Sequence, residues 1–254
     1  MPDRGRPTIY VAAAVGGWPH PWPNVAELAR EIPSHAWTLV GGLMVQLHTV
    51  HRGIGVIRPT NDVDIVLHIE TARGVPNMVA GSLERLGYRL VPAVDPRDNH
   101  AHRWLRDDQV LDVAIVDVVT ADHAAPSVVE RMRGREMVAI EGGTQALRRT
   151  VNASLDIEGS STVVSVPSPL GATVLKAAAY LHDSRDRQRH LYDAATLLAC
   201  IEDPFADADQ LRGSDRRRLR LLADHLPDGH AAWAFLDRRS RMNAQAALRI
   251  LNDG

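Results

Sequence analysis

The segment Asp62-Val63-Asp64-Ile65-Val66-Leu67-His68-Ile69 alternates without a break: Val63, Ile65, Leu67 and Ile69 fall on one side, Asp62, Asp64 and His68 on the other. A period of two belongs to a β-strand, so this is a strand with an apolar face and an acidic one. Two carboxylates one residue apart on a strand point the same way, with Cβ atoms about 7 Å apart, and both can reach one divalent cation. A third acid, Asp112, sits in the apolar run VLDVAIV. An ionised carboxylate there is costly unless a cation or strong donors compensate it. Asp117 lies on the same run, but its odd offset from Asp112 turns it to the opposite face, so one of the two joins Asp62 and Asp64. The more central position within the run selects Asp112.

The surrounding pattern is that of an α/β chain. Asn24 followed by Glu27 has the form of a capping box opening a helix that Pro33 closes. Ala36-Trp37-Thr38-Leu39-Val40 reads as a short strand, Gly41-Gly42 as a tight turn, and LMVQLHTVHRG as a helix ended by Gly53. A helix follows near 75–86, then YRLV as a strand, then a hairpin of HRWLR and VLDVAIVDV turning at Asp107-Asp108. STVVSV adds a further strand. Ser168 with Pro169 starts a helix, RHLYDAATLLACI forms a second, and the remainder reads as helices without a strand. The expected fold is a mixed β-sheet with flanking helices followed by a helical C-terminal region. The expected division is an N-terminal extension and helix over 1–35, an α/β catalytic domain over 36–167 and a helical domain over 168–254.

At 254 residues the chain is long enough to bury the core of an enzyme. No run of about 18 apolar residues occurs, so no membrane partner is expected. The run IYVAAAVGGW meets Pro-His-Pro-Trp-Pro instead of a cleavage segment, which argues against a secretory signal. The lone cysteine, Cys200, lies in an apolar helical run and reads as a buried hydrophobe, so a reducing, cytoplasmic location is expected. A net charge of −2 excludes a protein that coats nucleic acid through overall positive charge, leaving only a local basic patch. Arg216, Arg217, Arg218 and Arg220 form one such cluster on a helix, for which a solvated face is the plainer reading than RNA phosphate. His100 and His102 lack the Cys/His spacing of a zinc site, and Trp37, Trp104 and Trp233 read as core. Basic residues comprise 28 arginines and a single lysine, Lys176, which singles that lysine out.

Three acids on adjacent strands supply the hard oxygen ligands that a two-cation phosphoryl-transfer site needs. The bare backbone of Gly41-Gly42, at a helix start, can approach a triphosphate closely. In order along the chain, Val40-Gly41-Gly42-LMVQLH, RPTNDVD from Arg58 to Asp64, HRW from His102 and LDV from Leu111 resemble the nucleotidyltransferase superfamily with a polymerase-β-like core. More narrowly they resemble the AbiE-type abortive-infection toxin nucleotidyltransferases and their actinobacterial relatives, over about residues 37–200. The family's later helical motif, a lysine and then Arg-Asp-hydrophobic-aromatic-Asp, corresponds here to Lys176 and Arg189-His190-Leu191-Tyr192-Asp193.

The resemblance implies a nucleotidyltransferase-type fold in which Asp62, Asp64 and Asp112 hold two Mg²⁺ ions, with Mn²⁺ as the other candidate. Gly41, Gly42, Arg58, Thr60, Lys176 and Asp193 would bind a nucleoside triphosphate, Asp193 by orienting Lys176 or the base. The implied reaction moves a nucleoside monophosphate onto a hydroxyl of RNA, such as a tRNA end, or of a protein, in a toxin-like role with a cognate antitoxin. Two other readings stay open: transfer to a small molecule such as an aminoglycoside or lincosamide antibiotic, and a nucleotide-binding protein without turnover. The last draws on two departures from the family pattern, Leu43 in place of Ser or Thr and His190 in place of Asp.

Overall fold

The computed structural model of the chain describes residues 6–13, 16–55, 58–69, 73–92, 95, 98–108, 112–122, 131–183 and 186–253. In chain order they form β1 (Thr8–Val11), α1 (Trp22–Glu31), β2 (Trp37–Leu39), α2 (Gly41–His51), β3 (Asp62–Leu67), α3 (Val75–Arg85), β4 (Arg89–Leu90), β5 (His100–Ala101), β6 (Arg103–Asp108) and β7 (Asp112–Ala121). There follow β8 (Glu136–Met137), β9 (Ala139–Ile140), α4 (Gly143–Arg148), β10 (Thr150–Ile157), β11 (Ser160–Pro167), α5 (Pro169–His182), α6 (Arg187–Ala199), α7 (Pro204–Asp209), α8 (Asp215–His225) and α9 (Arg238–Asn252). The fold is α/β, with mixed sheets, flanking helices and a helical C-terminal region. No helix among the described residues is long and apolar enough to cross a membrane.

The main sheet runs β2-β3-β7-β6-β4, with β9 pairing β7. β3 and β7 are parallel, and their register sets Asp62 beside Ile115 and Asp64 beside Asp117. β6 and β7 are antiparallel, with Arg103 opposite Asp117 and Asp108 opposite Asp112. A second sheet, β1-β10-β11, pairs β1 parallel to β10, so the apolar segment at the N-terminus starts as a sheet strand. One hydrophobic core joins both sheets to α1–α3 around Trp22, Trp37 and Trp104. Another fills the helical region around Leu191, Leu198, Leu219, Leu222 and Trp233. Leu175 of α5 and Leu197 of α6 belong to the first of these cores, so these two helices back onto the sheets.

Two local expectations change. α1 begins at Trp22 with Pro21 before it. Asn24 is inside the helix and buried, its Nδ2 donating to Tyr88 Oη at 3.1 Å; an inter-element bond replaces the expected cap. Asp107 and Asp108 end β6 instead of making the hairpin turn, and the connection over 109–111 lies outside the described residues. Ser168 does cap α5, its Oγ accepting from the Gly171 N–H at 3.3 Å. Cys200 is buried, which pushes its thiol up to about 12 and leaves it unreactive at neutral pH.

His48 joins α2 to the end of β11. It is 1% exposed and its Nε2–H donates to the Pro167 carbonyl at 2.7 Å. Burial takes its pKa from 6.5 down to about 4, against the opposing pull of that carbonyl. A base depressed in the folded state leaves stability intact above pH 6.5. As the pH falls towards 4, the unfolded chain gains a proton that the fold refuses. The loss is roughly 3 kcal/mol. Urea denaturation at pH 7 and pH 4.5 is expected to show this difference, and His48→Gln to flatten it; an unchanged slope in the variant would place the sensitivity elsewhere.

Candidate active site

The site grows out of the strand–glycine–helix passage from β2 into α2. The Val40 N–H donates to the Asp64 carbonyl at 2.9 Å, which ties the end of β2 to β3 beside the start of α2. Gly41 then takes a left-handed φ of +68°, and a Cβ placed on it would lie 1.8 Å from Asp64 Oδ2. A Cβ on Gly42 would lie 2.8 Å from the side chain of Thr60. The glycine pair is therefore required by close approach of the acids' own loop and strand to the helix start. Buried Gln46 on α2 fixes the incoming loop, donating from Nε2 to the Arg58 carbonyl at 2.7 Å while its Oε1 accepts from Trp22 Nε1 at 3.0 Å.

Across this corner lie Asp62, Asp64 and Asp117, whose carboxylate oxygens fall within 4.8 Å of one another. Among the described residues this is the one such group of three or more potential metal ligands. Asp112 does not share their level: it pairs with Asp108 at the hairpin end, three residues before the partner of Asp62. The expected third acid is thus corrected to Asp117, because the parallel register of β3 on β7 sets that residue level with Asp64.

The three acids are unequally compensated. Thr60 Oγ1 donates to Asp62 Oδ1 at 2.5 Å. Arg103 grips Asp117 with Nε on Oδ1 at 2.9 Å and Nη2 on Oδ2 at 2.6 Å. Burial, and then the charges of Asp62 and Asp117, push Asp64 up to about 7, with Lys176 and Arg189 pulling weakly the other way. Three carboxylates are hard oxygen donors suited to Mg²⁺ or Mn²⁺, and their mutual repulsion is what a cation between them relieves. The residues present fit a divalent cation.

These groups open into a cleft of about 700 Å³. Gly41, Gly42, Arg58, Thr60 and Lys176 line it beside the trio, as do Arg103, Arg189 and His190. Leu43, the first departure from the family pattern, is fully buried in the core and does not reach the cleft wall. Asp193 lies behind the wall, 3% exposed, and serves two cations. Lys176 Nζ is 2.7 Å from its Oδ2, and Arg58 donates to both its oxygens at 3.2 and 3.3 Å. Burial would raise its pKa, but Lys176 and Arg58 outweigh this and hold the carboxyl below the usual range. One buried carboxylate between two cations leaves one positive charge over at Lys176 and Arg58 beside the acidic trio, while Glu141, Asp183 and Asp186 also line the cleft. His190 contacts Asp183 Oδ2 through Nε2 at 2.9 Å. Burial and then Lys176 lower its pKa, so the imidazole is neutral near pH 7.

No protein-family model matches the chain, and no curated protein sequence matches it. Among solved structures it is similar to the crystal structure of an antigenic nucleotidyltransferase-like protein from Paracoccidioides brasiliensis. The two are 15% identical with a TM-score of 0.49, over 89% of this chain and 91% of the other.

Sequence reasoning set Asp117 aside in favour of Asp112 and did not find Arg103 or the apolar part of the cleft lining, Val119, Val138, Ile140, Leu175, Ala178 and Ala179. Asp117 did carry a signal, since it too interrupts an apolar run; the pairing register was the missing term.

The Arg103 clamp makes a direct prediction. Both oxygens of Asp117 are engaged by a guanidinium that a cation must displace or repel. Arg103→Gln is expected to tighten Mn²⁺ binding roughly tenfold, about 1.4 kcal/mol, measured by calorimetry. Weaker binding in the variant would instead make Arg103 a support that holds Asp117 in position.

Proposed function

We propose that the chain is a divalent-cation-dependent nucleotidyltransferase, with residues 36–167 carrying the acidic trio and 168–254 supplying Lys176 and Asp193. The observation that carries this reading is the convergence of Asp62, Asp64 and Asp117 from two adjacent parallel strands, beside a glycine-built helix start and the cationic Lys176 and Arg58. In this reading a hydroxyl attacks the α-phosphorus of a nucleoside triphosphate. The bond to the bridging oxygen breaks and pyrophosphate leaves. Mg²⁺ or Mn²⁺, two ions in the pattern that the sequence resembles, would when bound by Asp62, Asp64 and Asp117 neutralise phosphate charge and acidify the acceptor hydroxyl.

The chain's own groups have separate tasks. The bare backbone at Gly41 and Gly42 admits phosphate oxygens to the start of α2. Lys176 and Arg58, steadied by Asp193, meet the charge on the departing phosphates, and positioning and electrostatics supply most of the catalysis. Asp117 Oδ1, once released by Arg103, takes the hydroxyl proton. The apolar lining of the cleft takes the nucleobase. The acceptor is a hydroxyl of RNA, such as a tRNA end, or of a protein, and the role is toxin-like, restrained by a cognate antitoxin.

The test is to offer α-labelled ATP, GTP, CTP and UTP in turn, with Mg²⁺ or Mn²⁺, to the purified protein with total RNA or cell extract. Label on RNA or protein that depends on the cation supports the reading. Label on an added antibiotic would move the acceptor to a small molecule, and nucleotide binding without label on any acceptor would make the protein a binder without turnover.

A further inference from the structure

A second, smaller pocket of about 300 Å³ opens between the end of α4 and the turn from α7 into α8, lined by Gln145, Arg148, Arg149, Gln210, Arg212 and Gly213. Among the described residues, no carboxylate and no apolar side chain lines it. Its base is built and not incidental. The Arg149 side chain is 10% exposed and bonds through Nη2 to Asp215 Oδ2 and the Gln210 carbonyl, both at 2.5 Å, while its Nη1 is buried with no hydrogen-bond partner among the described residues. Asp215, fully buried, also accepts from the Arg212 N–H at 2.9 Å. The Arg212 side chain is braced on the Asp209 and Leu211 carbonyls at 2.8 and 2.7 Å.

Charge at this pocket is in excess. Three guanidinium groups surround it, and Asp215 bonds to one of them; Asp207 also acts electrostatically on Arg149. Among the described residues neither Arg148 nor Arg212 forms an ion pair, and both are exposed. On the next helix Arg216, Arg217 and Arg220 are exposed as well. Arg218 of the same run is buried, 3.8 Å from both Asp122 and Glu141, so the cluster divides into one structural arginine and an outward basic face.

We infer that this pocket binds a backbone phosphate of a single-stranded polynucleotide, the acceptor strand of the reaction proposed above, on which reading the assignment to RNA rests. Guanidinium forks match phosphate oxygens two at a time. The absence of apolar lining excludes a lipid chain or an apolar peptide anchor, and the absence of an aromatic or flat apolar surface excludes a free nucleotide held by its base. The position suits an acceptor: Glu141 lines the catalytic cleft, α4 starts two residues later, and Arg148 ends it. Six helical residues span roughly 9 Å, so a short strand can reach from one site to the other.

The test is anisotropy of a short fluorescein-labelled single-stranded RNA and of the same sequence as DNA, in EDTA and without nucleotide. It therefore reads independently of the acidic trio and of transfer. Wild type is expected to bind the RNA, and Arg148→Gln/Arg212→Gln to bind it about tenfold more weakly. The slope of log affinity against log salt should fall by about 0.7, the increment for one phosphate of a single strand. Arg148→Gln alone, which disturbs no bond in the fold, should show about half that change in slope, and thermal melts verify that both variants are folded. An equal loss with DNA supports a backbone-phosphate site. No RNA binding by wild type, an unchanged slope in the folded variants, or the same loss on removing exposed Arg238 and Arg239 of α9 would overturn the inference. If wild type binds RNA here yet transfers no label under any condition, the transferase reading fails while the site stands.

Discussion

Asp117→Asn is expected to lower nucleotidyl transfer by on the order of 10³-fold or more, while Asp112→Asn leaves it within about twofold of wild type. The size of the first effect follows from removing one of three anionic groups that together position charge at the reacting phosphate, a class of change that costs about 10²–10³ even for a single neutral donor. The second follows from the register: Asp112 pairs with Asp108 at the hairpin end and Asp117 with Asp64. The check is the initial rate of pyrophosphate release for both variants at saturating Mg²⁺, with circular dichroism to show that each is folded. Loss of activity in Asp112→Asn with Asp117→Asn unaffected would reverse the assignment.

Gly41→Ala is expected to be nearly as damaging, by a steric route. The added methyl would sit 1.8 Å from Asp64 Oδ2, so the carboxylate must leave its place, and the backbone must also hold a β-carbon at φ +68°. Gly53 separates these two costs. Its φ is +63°, yet a Cβ there meets nothing within 4 Å. Gly53→Ala should therefore cost only the left-handed backbone penalty, about 1–2 kcal/mol, and leave Mn²⁺ affinity unchanged. Gly41→Ala should pay that penalty and lose about 100-fold or more in Mn²⁺ affinity. Equal cation affinity in the two variants would mean that Asp64 does not need its present position.

What was legible in the sequence was local. The alternation of β3 and the Ser168 cap each depend on neighbours along the chain and stand where expected, while the expected glycine turn is the first two residues of α2 itself. Lys176 and Asp193, seventeen residues apart, meet because α5 and α6 fold back on one another, and their contact resolves why a compact ammonium serves at that position: it is buried against a single carboxylate oxygen. The third acid was not legible, because it depends on where a hairpin turns. A turn at Asp107-Asp108 makes Asp112 the central acid of β7. With the strands continuing to Asp108 and resuming at Asp112, the level of every residue shifts and Arg103 comes opposite Asp117. A slip in strand register moves an entire set of side chains, and no residue within the hairpin announces which register the neighbouring parallel strand will choose. The Arg103 clamp escaped notice for the same reason, since it is a cross-strand pair.

Everything proposed for the cleft requires Asp62, Asp64 and Asp117 jointly to hold a divalent cation. Anomalous diffraction from a crystal soaked in Mn²⁺ tests it most directly. Density bounded by those three carboxylates is expected, with the Arg103 guanidinium withdrawn from Asp117; density at Asp108 and Asp112, or none in the cleft at saturating Mn²⁺, would overturn the assignment.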